Sequence, residues 1–189
     1  MPFEHFDLIA GIYDRGTQFS IPDVLKKLLD LPSRGYLLDA AGGTGQLAEA
    51  LRGFVDLPVV ADSSRGMLKR ASVKNLPVIC TLVEELPFAD SAFTRIIMRD
   101  AFHHISDQRV TVGELWRLLS SGGRMIIVEP DITIFSVKIL AIAEKILLMR
   151  SHFFSAEQIV SLFSFRNARI EIVRQDSTVY LMAEKVRPM

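Results

Sequence analysis

An aspartate followed by a glycine-rich turn is the part of the sequence best suited to bind a ligand. Residues 37–48 read LLDAAGGTGQLA, which is an apolar run, a turn with three glycines and the beginning of a helical pattern. Glycines let the backbone of such a turn approach a ligand closely. The spacing of Gly43, Gly45 and Ala48 matches the dinucleotide fingerprint, in which a helix N-terminus faces a pyrophosphate. The turn by itself indicates a nucleotide-type ligand without deciding which one.

Asp39, at the end of the apolar run, distinguishes between two such ligands. A carboxylate at this position repels the two phosphates of NAD at short range and attracts a cation. S-adenosylmethionine (SAM) carries an α-ammonium and a sulfonium and has no phosphate, so Asp39 favours SAM. The structural alternative is that Asp39 only accepts hydrogen bonds from the backbone of its own turn.

A second acid, Asp62, ends the next apolar run, VVAD at 59–62. Its carboxylate can accept hydrogen bonds from both hydroxyls of a ribose. Because NAD and SAM sites share this acid, Asp62 predicts a nucleoside rather than a particular one. The structural alternative is an N-cap for the helix that begins near Arg65, and the two roles are compatible.

Candidates for acid–base chemistry lie after a later strand, at Asp100, His103 and His104. An imidazole with a pKa near 6.5 is suited to accept a proton from a phenol-like or carbon nucleophile. If the backbone is still extended there, the two histidines point to opposite faces, which is poor geometry for binding one metal ion. The alternatives are a structural histidine at a strand–helix junction and a turn cap at Asp100. We expect no metal site.

Alternating strands and helices are needed to bring these residues together. The apolar runs predict strands at 36–40, 58–61, 78–82, 95–99 and 124–129, and helices at 46–52, 65–73 and 108–119. This alternation predicts a mostly parallel α/β sheet. Segments 168–174 and 178–185 predict a C-terminal hairpin with its turn at 175–177, so the sheet should be mixed.

Further local signals complete this prediction. The segment Ile21-Pro22-Asp23 should open a helix that runs through Asp30, and Leu31-Pro32-Ser33 should close it. The SSGG segment at 120–123 should stop a helix and turn the chain into the next strand. Trp116 has the helical spacing of a core residue, and Cys80 reads as a buried strand residue.

The composition of the sequence limits which molecules the protein is expected to bind and where it is expected to be located. The 189 residues fit one domain, and the 22 basic and 22 acidic residues give no net field that would attract nucleic acid. The N-terminus shows no basic region followed by an apolar one, so we expect a cytoplasmic protein. The apolar stretch 132–149 contains Lys138, Glu144 and Lys145 and is shorter than the ~20 apolar residues of a membrane span. This apolar stretch could still contact the surface of a membrane without crossing it.

Residues 132–165 are unusually apolar. The apolar members include Ile134, Phe135, Ile139, Leu140, Ile142, Ile146, Leu147, Met149, Phe153 and Phe154. These residues provide more apolar surface than one helix needs in order to pack against one face of a sheet. It predicts an apolar pocket or lid, with core packing or a homodimer face as the alternative.

Five motifs in this order resemble the class I SAM-dependent methyltransferases, and within them the ubiquinone/menaquinone biosynthesis C-methyltransferase group (methyltransferase type 11-like). They are FDLIAGIYD at 6–14, DAAGGTG at 39–45, ADSSRGML at 61–68, EELPFADSAF at 84–93 and SGGR at 121–124. The resemblance covers roughly residues 6 to 130.

The resemblance implies a Rossmann-like fold with a mostly parallel seven-stranded sheet and a C-terminal antiparallel hairpin. It also implies SAM as cofactor, S-adenosylhomocysteine as its product, and a small, quinone-like or otherwise hydrophobic methyl acceptor. The chain then divides into an N-terminal helical cap at 1–34, a cofactor-binding core at 35–130, and substrate-side helices with the hairpin at 131–189. The implied cofactor-binding residues are Tyr13, Asp39, Ala40, Ala41, Gly43, Gly45, Asp62, Ser63, Met67, Val83, Glu84 and Arg99.

Within this set the resemblance gives four residues particular roles. The Tyr13 ring packs near the cofactor, and Met67 flanks the adenine. The backbone near Val83 meets the adenine edge, and the backbone of Arg99 meets the methionine part.

Two positions depart from the pattern of that group. Leu82 stands where an Asp or Asn often bonds the adenine amino group, and Thr94-Arg95 replaces the usual Phe-Asp pair. Adenine recognition should therefore depend more on backbone and packing. The alternatives are an NAD-dependent oxidoreductase and a noncatalytic SAM-binding protein.

Overall fold

A computed structural model describes residues 20–138, 152–163 and 167–187. The 6–14 motif with Tyr13, and the apolar residues between Ile139 and Met149, lie outside the described residues. Within them, none of the helices has the length and apolar character that crossing a membrane requires.

A seven-stranded sheet forms the centre of the fold, in the order β3-β2-β1-β4-β5-β7-β6. Strands β1 to β5 run parallel, and β7 is antiparallel to both β5 and β6. This confirms the predicted mixed Rossmann-like sheet. The strands are β1 (Tyr36–Ala40), β2 (Leu57–Asp62), β3 (Val78–Cys80), β4 (Phe93–Arg99), β5 (Leu119–Pro130), β6 (Ala168–Gln175) and β7 (Thr178–Lys185).

Helices cover both faces of this sheet. They are α1 (Asp23–Leu29), α2 (Gln46–Ala50), α3 (Arg65–Val73), a 3₁₀ helix (Phe102–His104), α4 (Gln108–Leu118) and α5 (Ala156–Ser161). Alternation along the strands divides the core, because neighbouring side chains point to opposite faces. In β4, Ile96 and Met98 pack in one cluster with buried Trp116, whereas Ile97 packs in the other with Leu37 and α1. The predicted core position of Trp116 is confirmed.

The chain order of the strands creates a crevice at their carboxyl ends. Strand β1 pairs with β2 on one side and with β4 on the other. The chain therefore runs from β1 through β2 to β3 in one direction along the sheet and then crosses back to β4 on the other side of β1. Ligands of open α/β sheets bind outside the carboxyl ends at this switch point. The motif residues at the ends of β1, β2 and β4 therefore meet at one place.

Three local predictions were wrong. Strand β5 begins at Leu119, so segment 120–123 lies within a strand instead of forming a separate turn. The reason is pairing: Leu119 pairs with Phe93, and a bulge precedes the next pair, Arg95 with Arg124. Strand β3 ends at Cys80 instead of Leu82. Cys80 is exposed because β3 is the edge strand of the sheet.

The departure at Thr94-Arg95 has a structural role. The Thr94 hydroxyl donates to the Arg34 carbonyl at 2.8 Å. The buried Arg95 guanidinium donates to the Leu29 and Asp30 carbonyls at the end of α1. The Arg95 bonds fasten the end of α1 to β4, and the Thr94 bond fastens the segment between α1 and β1. Leu28 and Leu29 of α1 pack in the same cluster as Leu37 and Ile97.

Candidate functional site

A cavity of about 230 Å³ lies at the carboxyl ends of β1, β2 and β4. Its lining comes from the glycine turn, the start of α2, the β2–α3 turn and the segment after β4. The lining residues are Asp39, Ala41, Gly42, Gly43, Thr44, Gln46, Leu47, Asp62, Ser63, Ser64, Met67, Arg99, Asp100, Ala101, His104 and Ile105. The fold thus brings the two predicted acids and one predicted histidine to the same cavity.

Asp39 lies at the bottom of this site and is only 2% exposed. Its Oδ2 accepts a hydrogen bond from the Ala48 N–H at 3.2 Å. Its carboxyl carbon lies so close to Gly42 that a Cβ there would come within 2.6 Å of it, so the turn requires glycine at this position. Asp39 therefore both accepts a backbone hydrogen bond and lines the ligand site.

Burial also changes the charge of Asp39. Desolvation raises the pKa of this carboxyl from 3.8 to about 7, although the nearby Arg99 charge and the Ala48 hydrogen bond oppose the rise. Asp39 was expected from the sequence to carry a full negative charge. In the structure it is a carboxyl near its titration midpoint at neutral pH, and a bound cation would stabilise its ionised form.

Asp62 joins the two loops on either side of the cavity. Its Oδ2 accepts from the Gly43 N–H and its Oδ1 from the Ser64 N–H, both at 2.8 Å. The N-cap of α3 is Ser64, whose hydroxyl accepts from the Met67 N–H. The alternative in which Asp62 itself caps this helix is therefore wrong.

We expect Asp62→Ala to weaken SAM binding by about ten- to a hundredfold, the usual effect of losing hydrogen bonds to a charged group. Titration calorimetry measures this directly. Thermal melting should show that the variant still folds, since Asp62 is only partly buried. An unchanged dissociation constant would restrict Asp62 to fastening the two loops.

The segment after β4 supplies a charged side of the cavity. Arg99 Nε lies 3.5 Å from the Asp100 carboxylate. Desolvation raises the pKa of Asp100, and the Arg99 charge opposes this. Asp100 has a positive φ of 51°, an uncommon conformation for a residue with a side chain. Ala41, which also lines the cavity, has a φ of 54°. Such backbone strain is typical of ligand sites.

The two histidines have different surroundings. They lie on the 3₁₀ helix, so the backbone is not extended and their rings are in contact, with centroids 4.0 Å apart. The condition under which they would point to opposite faces, an extended backbone, is therefore not met. His104 lines the cavity. His103 is buried outside the lining, with Nδ1 2.5 Å from Glu129 Oε2 and its ring stacked on Phe153.

Glu129 is a residue that the sequence argument missed. It is 3% exposed and accepts hydrogen bonds from the Ala101 and Phe102 N–H groups at 3.0 and 2.9 Å, besides its contact with His103. It holds the cavity-lining segment in place. An acid at the end of a buried strand was the available signal, because Asp39 and Asp62 occupy the same kind of position.

The remaining predicted residues divide into two groups. Ala41, Gly43, Ser63, Met67 and Arg99 line the cavity. Ala40 is buried, Gly45 is the N-cap of α2, and the Val83 side chain packs in the core.

Glu84 lies away from the cavity lining, and its Oε1 accepts from the Asp107 N–H. The adenine contact of the backbone near Val83 stays a prediction. Leu82, the position that departs from the family pattern, is 55% exposed. In the described part of the chain, no cluster of three His, Cys, Asp or Glu side chains is placed to bind a metal ion.

Comparison with known proteins identifies the central part of the chain. A family model described as a methyltransferase domain matches residues 38–127. This range contains β2 to β4, most of β1 and β5, and all of the residues that line the cavity. This part of the chain is therefore similar to methyltransferase domains. The demethylmenaquinone methyltransferase of Corynebacterium urealyticum is 35% identical over 104 residues, which are 55% of this chain and 45% of that protein. The chain spans about half the length of the curated relatives it matches.

Solved structures agree on the fold. The YcgJ protein of Bacillus subtilis has a TM-score of 0.76 at 17% identity, covering 87% of this chain and 97% of that one. A SAM-dependent methyltransferase of Aquifex aeolicus has a TM-score of 0.71 at 16% identity, covering 95% of this chain and 98% of that one. The described part of the chain therefore has the fold of these proteins. SAM is the cofactor that similarity to methyltransferase domains implies.

The residues of the cavity fit this cofactor. Asp39 is a buried carboxyl that a bound cation would stabilise, and SAM provides an ammonium and a sulfonium. The glycine turn presents Gly43 and Ala41 backbone at the lining, with no side chain between the backbone and the cavity at Gly43. The acid at the end of β1, the feature that first favoured SAM over NAD, thus has the surroundings that such a role requires.

Proposed function

We propose that the chain is a SAM-dependent methyltransferase that acts on a small, apolar acceptor such as a quinone. The observation that carries this proposal is the buried Asp39 carboxyl at the bottom of a cavity in a part of the chain that is similar to methyltransferase domains. A noncatalytic SAM-binding protein would share that feature. Whether the protein also binds and methylates an acceptor therefore distinguishes an enzyme from a noncatalytic SAM-binding protein.

Each part of the cavity would hold a different part of the cofactor. Asp39 would receive the ammonium of the methionyl group, and Asp62 would accept from the ribose hydroxyls. Met67 would flank the adenine, and the backbone of the glycine turn would lie along the molecule. When bound, SAM supplies a methyl group on a positively charged sulfur, already activated for transfer to a nucleophile.

The protein then contributes mainly alignment and exclusion of water. Positioning of reactants can supply about 7–11 kcal/mol of the barrier reduction in well-oriented reactions. His104 is the histidine of the pair that lines the cavity, so we assign it the task of accepting the acceptor's proton at a ring nitrogen. Asp100 lines the same wall and would orient the acceptor or that imidazole.

The apolar acceptor is supported by the residues that approach this wall from the segment after β5. Phe153 stacks on His103 at 4.4 Å, and Phe154 meets Phe102 edge to face at 6.5 Å. Gln108 fastens the segment, because its side-chain amide donates to the carbonyls of Phe102 and His152. Aromatic rings are thus held against His103 and Phe102, the two residues that precede His104 on the 3₁₀ helix, and a planar apolar acceptor at His104 would lie close to this aromatic group. The demethylmenaquinone named for the Corynebacterium relative is such a compound.

The acceptor proposal is tested by methyl transfer from SAM labelled on the methyl group. We expect label to enter a short-chain demethylmenaquinone and not a polar acceptor such as a small amine. His104→Phe should reduce turnover by about a hundredfold or more, the usual contribution of a general base, and leave SAM affinity nearly unchanged. No transfer to any apolar acceptor, with SAM binding intact, would favour the noncatalytic alternative.

A further inference from the structure

Arg174, on β6, contacts the chain both where it leaves the sheet after β5 and where it returns at α5. We call residues 131–155 the acceptor-side segment, because the two phenylalanines beside the 3₁₀ helix lie in it; the structure describes its two ends, 131–138 and 152–155. At the first of these ends, Arg174 Nε lies 3.4 Å from Asp131 Oδ2. Just beyond the second, Arg174 Nη2 pairs with the Glu157 carboxylate in the first turn of α5. One guanidinium therefore joins the exit and the return of the segment.

The sheet register explains why Arg174 reaches the first of these carboxyl groups. Arg174 pairs with Val179 across β6 and β7, and Val179 pairs with Glu129 across β7 and β5. Directly opposite residues of antiparallel strands point to the same face of a sheet, so Arg174 lies on the face that carries Glu129. Asp131 follows Glu129 by two residues. The chain thus leaves β5 beside the guanidinium.

Asp131 is the buried end of this arrangement. It is 6% exposed, and its Oδ1 accepts hydrogen bonds from the N–H and the hydroxyl of Thr133 at 3.0 and 2.7 Å. Its own N–H donates to the Ser177 carbonyl at 2.8 Å. A buried carboxylate is costly without a cationic partner, and Arg174 supplies the positive charge beside it. The start of the segment therefore depends on Arg174.

The contact with Glu157 lies closer to the aromatic residues. Ser155 caps α5 in a capping box, so α5 begins directly after the pair Phe153 and Phe154. The Arg174 and Glu157 side chains are 41% and 64% exposed, so this is a surface ion pair and the weaker of the two contacts. It ties the first turn of α5 to the sheet, and with it the position of the two rings against the 3₁₀ helix.

We propose that Arg174 is a positioning residue for the methyl acceptor: it holds both ends of the acceptor-side segment and thereby determines how tightly the acceptor binds. This rests on the proposed function, because an apolar acceptor would lie close to the aromatic group of that segment. Arg174 is not among the residues that line the cavity. It should therefore affect binding of the acceptor and not binding of SAM.

Steady-state methyl transfer from labelled SAM to a short-chain demethylmenaquinone tests this. Arg174→Met keeps the apolar stem and removes the charge and the donors. We expect the KM for the acceptor to rise by about tenfold, the scale of a lost hydrogen bond to a charged group. We expect kcat and the dissociation constant of S-adenosylhomocysteine to change by less than about twofold. Turnover should survive because Gln108 still donates to the His152 carbonyl and keeps the segment beside the 3₁₀ helix.

Glu157→Gln shows whether the two contacts act through Arg174. By itself it should raise the KM for the acceptor by about two- to fivefold, the scale of an exposed ion pair. Added to Arg174→Met it should have no further effect, because its partner is already absent. Arg174→Lys keeps the charge but lacks the planar fork, so its KM should lie between those of the unmodified protein and Arg174→Met.

Arg169→Met is the matched control, because it removes the same charge from the same strand. The recorded ion pair of Arg169 joins it to Glu184 on β7 at 3.9 Å. This variant should leave the KM for the acceptor unchanged. Melting temperatures of the ligand-free variants show whether each one folds. Should Arg174→Met not fold, Arg174→Lys and Glu157→Gln still test the proposal.

The outcomes separate this proposal from the proposed function. If Arg174→Met raises the KM no more than Arg169→Met does, or weakens S-adenosylhomocysteine as much as the acceptor, Arg174 does not position the acceptor, although the proposed function stands. Additive effects of Arg174→Met and Glu157→Gln would also contradict the proposal. If the unmodified protein binds S-adenosylhomocysteine but methylates no apolar acceptor, the proposed function fails and this inference fails with it.

Discussion

Replacement of Asp39 by asparagine should abolish measurable SAM binding and at the same time stabilise the ligand-free protein above neutral pH. The amide keeps an oxygen that can accept from the Ala48 N–H, so the turn should retain its shape. It has no charge, however, to offset a bound ammonium and sulfonium. Removing one partner of a buried charge pair costs about 3–5 kcal/mol, which is more than a hundredfold in affinity.

The gain in stability follows from the raised pKa. The folded protein holds the Asp39 proton up to about pH 7, whereas the unfolded chain releases it near 3.8. Between these values the folded state binds more protons, so the free energy of unfolding falls as pH rises. At 1.36 kcal/mol per pKa unit, the upper limit of this loss is about 4 kcal/mol. Asp39→Asn lacks the titrating group and should escape the loss.

Melting curves from about pH 5 to pH 9 for both proteins check this. The difference in free energy of unfolding in favour of the asparagine variant should grow as pH rises to about 7 and stay constant above that pH. The unmodified protein should bind SAM more tightly as pH rises, by up to about tenfold per unit below the pKa. Asp176→Asn, in the exposed hairpin turn, is the matched control and should change neither property. Equal SAM affinity of the two proteins would contradict the role of Asp39.

Glu129→Ala should be the most destabilising single substitution near the cavity. The change leaves the Ala101 and Phe102 N–H groups and His103 Nδ1 without their buried acceptor. Each buried donor without a partner costs about 1–3 kcal/mol, so we expect a total loss of about 3–5 kcal/mol. At about 2–4 °C per kcal/mol for a chain of this size, the melting temperature should fall by roughly 6–20 °C.

Glu129→Gln separates hydrogen bonding from charge. Its amide oxygen can still accept from the two backbone N–H groups, so about half of the loss or less should remain. Chemical denaturation of both variants provides the free energies, with Glu171→Ala on the exposed side of β6 as the control. A free energy of unfolding for Glu129→Ala within about 1 kcal/mol of the unmodified protein would show that Glu129 does not hold the segment.

The part of the site that could be predicted from the sequence is the part that depends on local pattern. Asp39 and Asp62 each end a short apolar run, and a run of that kind becomes a buried parallel strand whose last residue reaches the carboxyl edge. The bounds of β1 and α3 were predicted to the residue for the same reason, since apolar spacing and flanking residues define them.

What could not be predicted depends on contacts between distant residues. Glu129 and His103 are 26 positions apart, and their contact requires β4 and β5 to be neighbours. The early start of β5 comes from the pairing of Leu119 with Phe93, and the exposure of Cys80 from the place of β3 at the sheet edge. Strand order, which determines all three, is not contained in any local pattern of residues.

The most direct test of the account is the thermal stability of the unmodified protein with S-adenosylhomocysteine and, separately, with NAD. A ligand that binds the folded state at ~100 times its dissociation constant adds about 2.7 kcal/mol to the free energy of unfolding. We predict that S-adenosylhomocysteine raises the melting temperature accordingly and that NAD leaves it unchanged. Stabilisation by NAD and not by S-adenosylhomocysteine would contradict the assignment of this cavity to SAM.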